Sequence, residues 1–187
     1  LEALQALRQL VARYPRQVEP RLALADLLAA AGEIEDAIDV LSQAIEVAAQ
    51  PAPILVRRGA LVAQQGRPGE AERDYRDAIK RDATYWLAYR YLGISRLRTG
   101  GAVEGEAALR EALTLAPHDP DTVLYLGEAL MLQGGRDQEA HEVLEQAVGL
   151  LPTDPRGYHL LGRLLDRLGQ PERAMAMHRK SRSAGSA

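Results

Sequence analysis

Histidines are the residues of this sequence best suited to bind a metal ion or to transfer a proton. The four are His118, His141, His159 and His178. No two of them lie four residues apart, the helical spacing that lets two imidazoles share one metal ion. The sequence therefore predicts no metal site, and we expect no cofactor.

Motifs for covalent catalysis and phosphate binding are also missing. No serine lies in the Gly-x-Ser-x-Gly turn that exposes a nucleophilic hydroxyl. The glycine pairs at 100–101 and 134–135 match neither common phosphate-loop spacing, and helix termination accounts for them. Because the sequence contains no recognisable catalytic motif, we expect the protein not to be an enzyme.

The composition indicates an all-α globular protein. Hydrophobic residues make up 47% of the 187 residues and charged residues 26%, which argues against disorder. Aromatic residues are only 4% and phenylalanine is absent, while strong helix formers such as alanine and leucine dominate. The elements that position any site are therefore expected to be helices.

The charge of the chain argues against a nucleic-acid partner. The net charge is −3, whereas a domain that holds a phosphate backbone is normally basic. Residues 155–187 carry a local charge of +5, which leaves −8 for the rest of the chain. We interpret the basic end as a solvated helix and tail.

Membrane insertion is not expected in this segment, because no apolar stretch approaches the roughly 20 residues that span a bilayer. The absence of cysteine leaves the compartment open, and we slightly favour a soluble cytoplasmic protein over a periplasmic one. The chain does not begin with methionine, so we expect a piece of a larger protein. Abundant arginine and scarce lysine suggest a bacterial genome rich in G and C.

Glycines recur along the chain with a fixed period. Gly32, Gly66, Gly100 and Gly134 are each 34 residues apart, and Gly169 follows after 35. Seven residues before each of them stands another small residue: Ala25, Gly59, Gly93, Gly127 and Gly162. A fixed period of this length predicts a stack of repeating helix pairs.

A helical interpretation explains both sets of small residues. Leu126, Gly127 and Leu130 fall on one stripe of a helix, where the small residue lets a second helix approach closely. Gly93 is predicted at a similar crossing. The later glycines supply the left-handed conformation that ends a helix. Asp-Pro at 119–120 and 154–155 predicts the start of the next one.

These positions resemble the tetratricopeptide repeat, a 34-residue unit of two helices. The unit at 86–119 carries the characteristic residues Tyr89, Leu92, Gly93, Leu109, Ala112 and Pro117. The unit at 120–154 carries Leu126, Gly127, Leu130, Ala140, Leu144, Ala147 and Pro152. The resemblance covers essentially the whole chain and implies an all-α, right-handed superhelical solenoid of antiparallel helix pairs.

The repeat period divides the chain into five repeats within one continuous solenoid domain. The expected repeats are 18–51, 52–85, 86–119, 120–154 and 155–187, the last with a polar C-terminal tail, preceded by 1–17 as the second helix of a truncated repeat. First helices are expected near 19–31, 53–65, 86–99, 120–133 and 156–168, with about eleven helices in all.

Two features depart from the family pattern. Gly105 stands where the family places alanine, so the second helix of its repeat is expected to start more loosely. At the N-terminal end, Leu1 and Leu4 lack their natural neighbour, so either more protein lies upstream or two chains meet there as a homodimer.

The resemblance implies a ligand groove lined by the first helix of each repeat. Positions four residues apart on this face are Leu22 and Asp26; then Val56, Ala60 and Gln64; then Arg90, Ile94 and Arg98; then Leu124, Glu128 and Leu132; and finally His159, Arg163 and Arg167. The groove is therefore expected to be apolar in the early repeats and cationic in the late ones.

This lining favours a non-catalytic scaffold that binds a protein or peptide segment in the groove. Arginine forks suit carboxylates, so the ligand is expected to combine an apolar segment with acidic groups. The alternative, that these arginines are merely solvated, is equally compatible with the sequence. The carboxylate clamp of chaperone-binding relatives is not expected, because asparagine is absent and Asp26 and Glu128 would repel a carboxylate.

Two other functions stay open. One is a self-assembling structural module that associates through its exposed terminal helices. The other is RNA binding, because pentatricopeptide proteins that read RNA also use a helical-hairpin repeat of this length. The negative net charge argues against RNA.

Overall fold

The structure, a computed structural model, describes residues 2–185. Within this range the chain forms eleven helices and no strand. They are α1 (Glu2–Arg13), α2 (Glu19–Ala30), α3 (Ile34–Val47), α4 (Ala52–Gln64), α5 (Pro68–Arg81), α6 (Trp86–Arg98), α7 (Ala102–Leu115), α8 (Pro120–Gln133), α9 (Asp137–Leu150), α10 (Pro155–Arg167) and α11 (Pro171–Ala184). The predicted all-α class is confirmed, and the five first helices lie within one residue of their predicted positions.

Helix pairs stack within each of two compact units, residues 1–91 and residues 92–187. In the first unit α1 packs on α2, α2 on α3, α3 on α4 and α4 on α5. In the second unit α7 packs on α8, α8 on α9, α9 on α10 and α10 on α11. Each pair therefore buries its apolar stripe against its neighbours along the chain, as expected of a repeat solenoid. The repeat boundaries and the single domain stay predictions.

The N-terminal helix α1 covers the core of the first unit. Leu4, Leu7 and Val11 pack against the buried cluster of that unit. No residue of α1 is itself buried, and Leu10 is 42% exposed. Leu1 lies outside the described residues, and the homodimer contact expected at this end stays a prediction.

Left-handed glycines end the first helices, as predicted. Gly100 and Gly134 have φ angles of 85° and 70°, a conformation that side chains with a Cβ atom rarely adopt. The same conformation occurs at Gly32, Gly66 and Gly169. The polypeptide can therefore turn sharply from each first helix into its partner.

Aspartates cap two first helices at their start. The Asp119 carboxylate accepts a hydrogen bond from the Thr122 amide at 2.9 Å. The Asp154 carboxylate accepts one from the Arg156 amide at 2.8 Å. Both contacts satisfy amides that have no partner within the helix, which confirms the predicted caps.

Small residues let the two helices of a pair approach closely. The contacts of this kind join Gly59 to Tyr75, Gly93 to Leu109, Gly127 to Leu144 and Gly162 to His178. A Cβ atom built on Gly127 would lie 2.5 Å from Cδ2 of Leu144. Because carbon atoms pack at about 3.5 to 4.0 Å, there is no room for a side chain. The tight crossings predicted at Gly93 and Gly127 are confirmed.

A second glycine brings α6 and α7 together. Gly105 is buried, and an added Cβ atom would lie 3.1 Å from the carbonyl oxygen of Gly93 and 2.9 Å from Cδ2 of Leu97. The looser helix start expected at Gly105 is therefore wrong. The missing side chain lets α7 lie directly against the backbone of α6.

In the first unit, one arginine joins α3, α4 and α5. The Nε and Nη2 groups of Arg58 donate hydrogen bonds to the Asp74 carboxylate at 2.9 and 2.5 Å, and Nη1 donates to Oγ of Ser42 at 3.0 Å. The hydrogen bond with Asp74 raises the pKa of Arg58 above its ordinary value. Because the carboxylate is almost buried, losing either partner would leave a costly unpaired charge.

In the second unit, a buried carboxylate joins α7 to the end of α8 and the start of α9. Glu106 accepts hydrogen bonds from Arg110, Gln133 and Arg136 at 2.6 to 2.8 Å. Burial raises the pKa of Glu106, but these donors outweigh it and hold the pKa below its ordinary value. Glu139 accepts hydrogen bonds from both arginines, which lower its pKa.

Replacing Gly127 by valine should destabilise the protein by about 1 to 3 kcal/mol, because the added methyl groups overpack the contact with Leu144. The matched control is Gly149→Val in α9, where no atom lies within 4 Å of an added Cβ atom. Thermal melts should show a lower Tm for Gly127→Val and an unchanged or slightly higher Tm for Gly149→Val. Equal Tm values would contradict the packing described.

The variant Glu106→Gln should lose about 1 to 2 kcal/mol of unfolding free energy near neutral pH, because an amide cannot replace the charge-assisted hydrogen bonds. The carboxylate stabilises the fold above its unfolded-state pKa of about 4.3. This stabilisation is lost as the pH falls through the lower folded-state pKa. The difference between wild type and variant should therefore shrink below about pH 4.

Urea unfolding at neutral pH and near pH 3 measures this difference. The control Glu104→Gln changes an exposed carboxylate of the same helix and should have little effect at either pH. A loss for Glu106→Gln that does not vary with pH would show that the charge of the carboxylate is not what stabilises the contact.

Candidate functional site

A pocket of about 230 Å³ lies between α6 and α8 in the second unit. Its lining consists of Ile94, Leu97 and Arg98 from α6, and of Tyr125 and Glu128 from α8. Residues three or four positions apart on a helix share one side, which is why each helix contributes several lining residues. The pocket has apolar walls with one cationic and one anionic side chain, and three of its residues were predicted to line the groove.

The two charged side chains of the pocket make no ion pair within residues 2–185. Arg98 is exposed and Glu128 is partly buried. They differ in this respect from arginines such as Arg110 and Arg136, whose charges are compensated by carboxylates. A ligand can therefore use both charges of the pocket without breaking an internal ion pair.

Arg156 of α10 holds the tyrosine wall of the pocket in place. Its guanidinium carbon lies 5.7 Å from the centroid of the Tyr125 ring, and Nη1 donates a hydrogen bond to the Tyr125 hydroxyl oxygen at 3.3 Å. Nη2 pairs with Asp154 at 2.6 Å and with Asp121 at 2.8 Å. The hydrogen bond from Arg156 lowers the pKa of Asp154. These contacts favour one position of the Tyr125 ring before any ligand arrives.

Beyond α8, the neighbouring helix α10 presents the late residues predicted for the groove. Arg163 is exposed and has no ion-pair partner within the described part of the chain. Arg167 pairs with Asp137 and donates a hydrogen bond at 3.0 Å to a backbone carbonyl of α8. His159 is exposed. On α10 the cationic lining expected from the sequence is thus reduced to Arg163, because internal contacts compensate Arg167.

Two residues predicted for the groove lie in the core. Val56 is 4% exposed and Leu124 is 2% exposed. The Leu124 side chain reaches α10, where a Cβ atom on Gly157 would lie 3.6 Å from it. Leu124 is therefore not part of the candidate site, because the next first helix covers it. Val56 is not part of it either, because its side chain is buried. In contrast, Leu132 at the end of α8 is 56% exposed.

In the first unit, the predicted groove residues lie on α2 and α4. Asp26 and Gln64 are exposed, while Leu22 and Ala60 are partly buried. The Asp26 carboxylate pairs with Arg57 of α4. This part of the predicted groove therefore offers a compensated charge and little apolar surface.

Arg90 belongs to an aromatic cluster of the first unit. Its guanidinium carbon lies 5.1 Å from the centroid of the Trp86 ring and 5.4 Å from that of Tyr91. The Tyr91 ring in turn lies 5.6 Å from Tyr75. The sequence grouped Arg90 with Arg98, but stacking on aromatic rings gives Arg90 a part in packing.

Leu97 and Tyr125 were missing from the groove residues predicted from the sequence. Each lies three residues from a predicted one, Leu97 after Ile94 and Tyr125 before Glu128. The prediction used only the four-residue spacing, whereas neighbours on a helix surface are three as well as four residues apart. Including the three-residue spacing would have found both.

The described range contains no candidate metal site. Among residues 2–185 no group of three or more histidine, cysteine, aspartate or glutamate side chains is arranged to hold a metal ion. Every helix in that range is also too short or too polar to cross a lipid bilayer.

Profiles of the tetratricopeptide repeat match the sequence along its length. One covers residues 1–55, a second covers residues 57–120 and 92–155, and a third covers residues 155–181. The chain belongs to the tetratricopeptide repeat family, and the resemblance read from its glycine period is confirmed. A search of curated proteins finds no match.

Solved structures of this fold superpose on nearly the whole chain. MamA from Desulfovibrio magneticus RS-1 has a TM-score of 0.79 at 18% identity, covering 90% of this chain and 95% of its own. YrrB, a TPR protein with an unusual peptide-binding site, has a TM-score of 0.74 at 18% identity, and the match covers 97% of this chain and 93% of YrrB. The Cut9–Hcn1 hetero-tetramer of the APC/C has a TM-score of 0.81 at 18% identity, covering 99% of this chain and 37% of that one. At this identity the likeness establishes the solenoid fold.

Two arginines predicted for the same groove should respond differently to truncation. Arg90→Ala should lower the unfolding free energy by about 1 kcal/mol, because the guanidinium leaves two aromatic rings uncovered. Arg98→Ala should change it by less than about 0.5 kcal/mol, because the side chain is exposed. Chemical denaturation of both variants measures the difference, and equal losses would mean that Arg98 also has a packing role.

Proposed function

We propose that the protein is a non-catalytic scaffold that binds an extended segment of another protein. The binding surface is the first-helix face of the second unit, formed by the C-terminal half of α6 together with α8 and α10. The observation that carries the proposal is the pocket between α6 and α8, which combines apolar walls with two uncompensated charges.

The apolar walls supply part of the binding energy. Burying one leucine-sized side chain of a ligand against Ile94, Leu97 and Tyr125 gains about 1.5 to 3 kcal/mol. This gain is smaller than the cost of immobilising a free peptide, so binding requires further contacts along the face. Leu132 extends the apolar surface at the end of α8, and its exposed fraction of 56% leaves room for such a contact.

A fixed site limits the loss of entropy on binding. Tyr125 is held by Arg156, which is itself held by Asp121 and Asp154. The residues of the pocket also lie on helices whose positions are set by close packing. Preorganisation of this kind improves affinity because fewer side chains must be ordered when the ligand binds.

Membership of the tetratricopeptide repeat family supports protein binding as the general function, since the repeat presents one face of its first helices as a surface. The peptide-binding site of YrrB shows that a protein of similar fold can bind a peptide. Fold alone does not choose a ligand, so the proposal for this chain depends on its own pocket.

Selection of a random peptide library on the intact protein tests the proposal. Peptides enriched by the wild type should bind at least about tenfold more weakly to Ile94→Asp and to Leu132→Asp, because an aspartate removes apolar contact and introduces a charge that must be desolvated. The matched control is Val103→Asp on the second helix α7, where valine is 65% exposed.

Fluorescence anisotropy with labelled peptides measures the affinities. Melting curves of all three variants check that each one is folded. If the selected peptides lose affinity for Val103→Asp but not for the variants of the first-helix face, then the ligand surface lies on the second helices and the proposal is wrong.

A further inference from the structure

The first-helix face of the second unit carries uncompensated charges in a fixed order. Arg98 lies on α6, Glu128 on α8 and Arg163 on α10. None of the three makes an ion pair within residues 2–185. The signs therefore alternate from helix to helix as positive, negative and positive.

Two other arginines of α10 are compensated internally. Arg156 pairs with Asp121 and Asp154, and Arg167 pairs with Asp137. They hold α8 and α10 together and keep the Tyr125 ring in place, but their charge is already satisfied. Arg98, Glu128 and Arg163 therefore set the order of charges that a ligand meets on this face.

The distance between neighbouring first helices determines how far apart the matching charges lie in the sequence of the ligand. Helices α8 and α10 are in contact, and the pocket is lined by α6 and α8 together. Packed helices lie about 8 to 10 Å apart. An extended peptide in the polyproline II conformation advances about 3.1 Å per residue and has three residues per turn, so every third side chain points to the same side and reaches the next helix. Successive charges on the face should meet ligand residues about three positions apart.

We infer that the ligand carries an acidic residue, a basic residue three positions later and an acidic residue three positions after that, with an apolar residue between the first two. The first acidic residue pairs with Arg98, the basic residue with Glu128 and the second acidic residue with Arg163. The apolar residue enters the pocket between Arg98 and Glu128. This inference rests on the proposed function and adds the chemistry by which the face selects its ligand.

Two nonapeptides of equal composition and equal net charge test the inference. The matching peptide is acetyl-TELTKTTET-amide, in which threonine disfavours helix and so keeps the chain extended. The control is acetyl-TELTETTKT-amide, which exchanges the lysine and the last glutamate. It places like charges opposite Glu128 and Arg163, and in the reverse orientation it also meets two like charges.

Titration of the ¹⁵N-labelled protein, followed by amide shifts of Ile94, Leu97 and Tyr125, detects binding up to millimolar dissociation constants. We expect the matching peptide to bind about tenfold more tightly than the control at low salt, since each exposed ion pair is weak and two are reversed. The preference should fall as the salt concentration rises. The double variant Glu128→Lys/Arg163→Glu should reverse it and bind the control more tightly.

Each outcome has a definite meaning. Equal affinities of the two peptides at the pocket would overturn the charge order while leaving peptide binding on this face intact. No shift at the pocket with either peptide would also overturn it, and the library selection then decides separately whether the face binds peptides at all. A preference that the double variant does not reverse would show that the discrimination comes from residues other than Glu128 and Arg163.

Discussion

The close approach of the two helices in each pair is the constraint on which the rest of the structure depends. Where the first helix carries glycine, a large side chain of the second helix fills the space that a Cβ atom would occupy, as with Gly127 and Leu144. This contact sets the distance between the helices, so that polar side chains around it can also meet. In the first unit, a Cβ atom on Gly59 would lie 3.1 Å from Cβ of Asp74, and the Asp74 carboxylate is the one that holds Arg58.

The same packing decides which side chains a ligand can reach. Because α8 packs on its partner α9 with one side and on the next first helix α10 with another, Leu124 is covered while Glu128, one turn later, faces the pocket. The candidate site therefore consists of the side chains of α8 that neither α9 nor α10 covers, together with those of α6 that face them. Rigidity follows from the same cause, since residues such as Tyr125 are held by neighbours on the next repeat.

The repeat architecture could be predicted from sequence because its signals are local. A glycine that ends a helix and an aspartate that caps the next one act within a few residues of themselves, so their spacing is visible in the chain. The resemblance to a known family then supplied the groove. Even so, Gly105 was misinterpreted, because its role is a contact with the backbone of Gly93 on another helix.

The partners of charged residues could not be predicted in this way. Arg163 and Arg167 lie four residues apart on one helix, yet Arg167 pairs with Asp137, thirty positions away, while Arg163 is uncompensated within the described range. Arg90 and Arg98 differ for a similar reason, since Arg90 lies over the rings of Trp86 and Tyr91 whereas Arg98 is exposed. The choice between a structural and an available charge depends on distant residues, and only the folded arrangement reveals it.

A crystal structure of the protein with a library-selected peptide tests the central claim most directly. The account predicts an extended peptide lying across α6, α8 and α10, with an apolar side chain in contact with Ile94 and Tyr125. A peptide bound over the second helices, with the pocket between α6 and α8 left open to solvent, would contradict it.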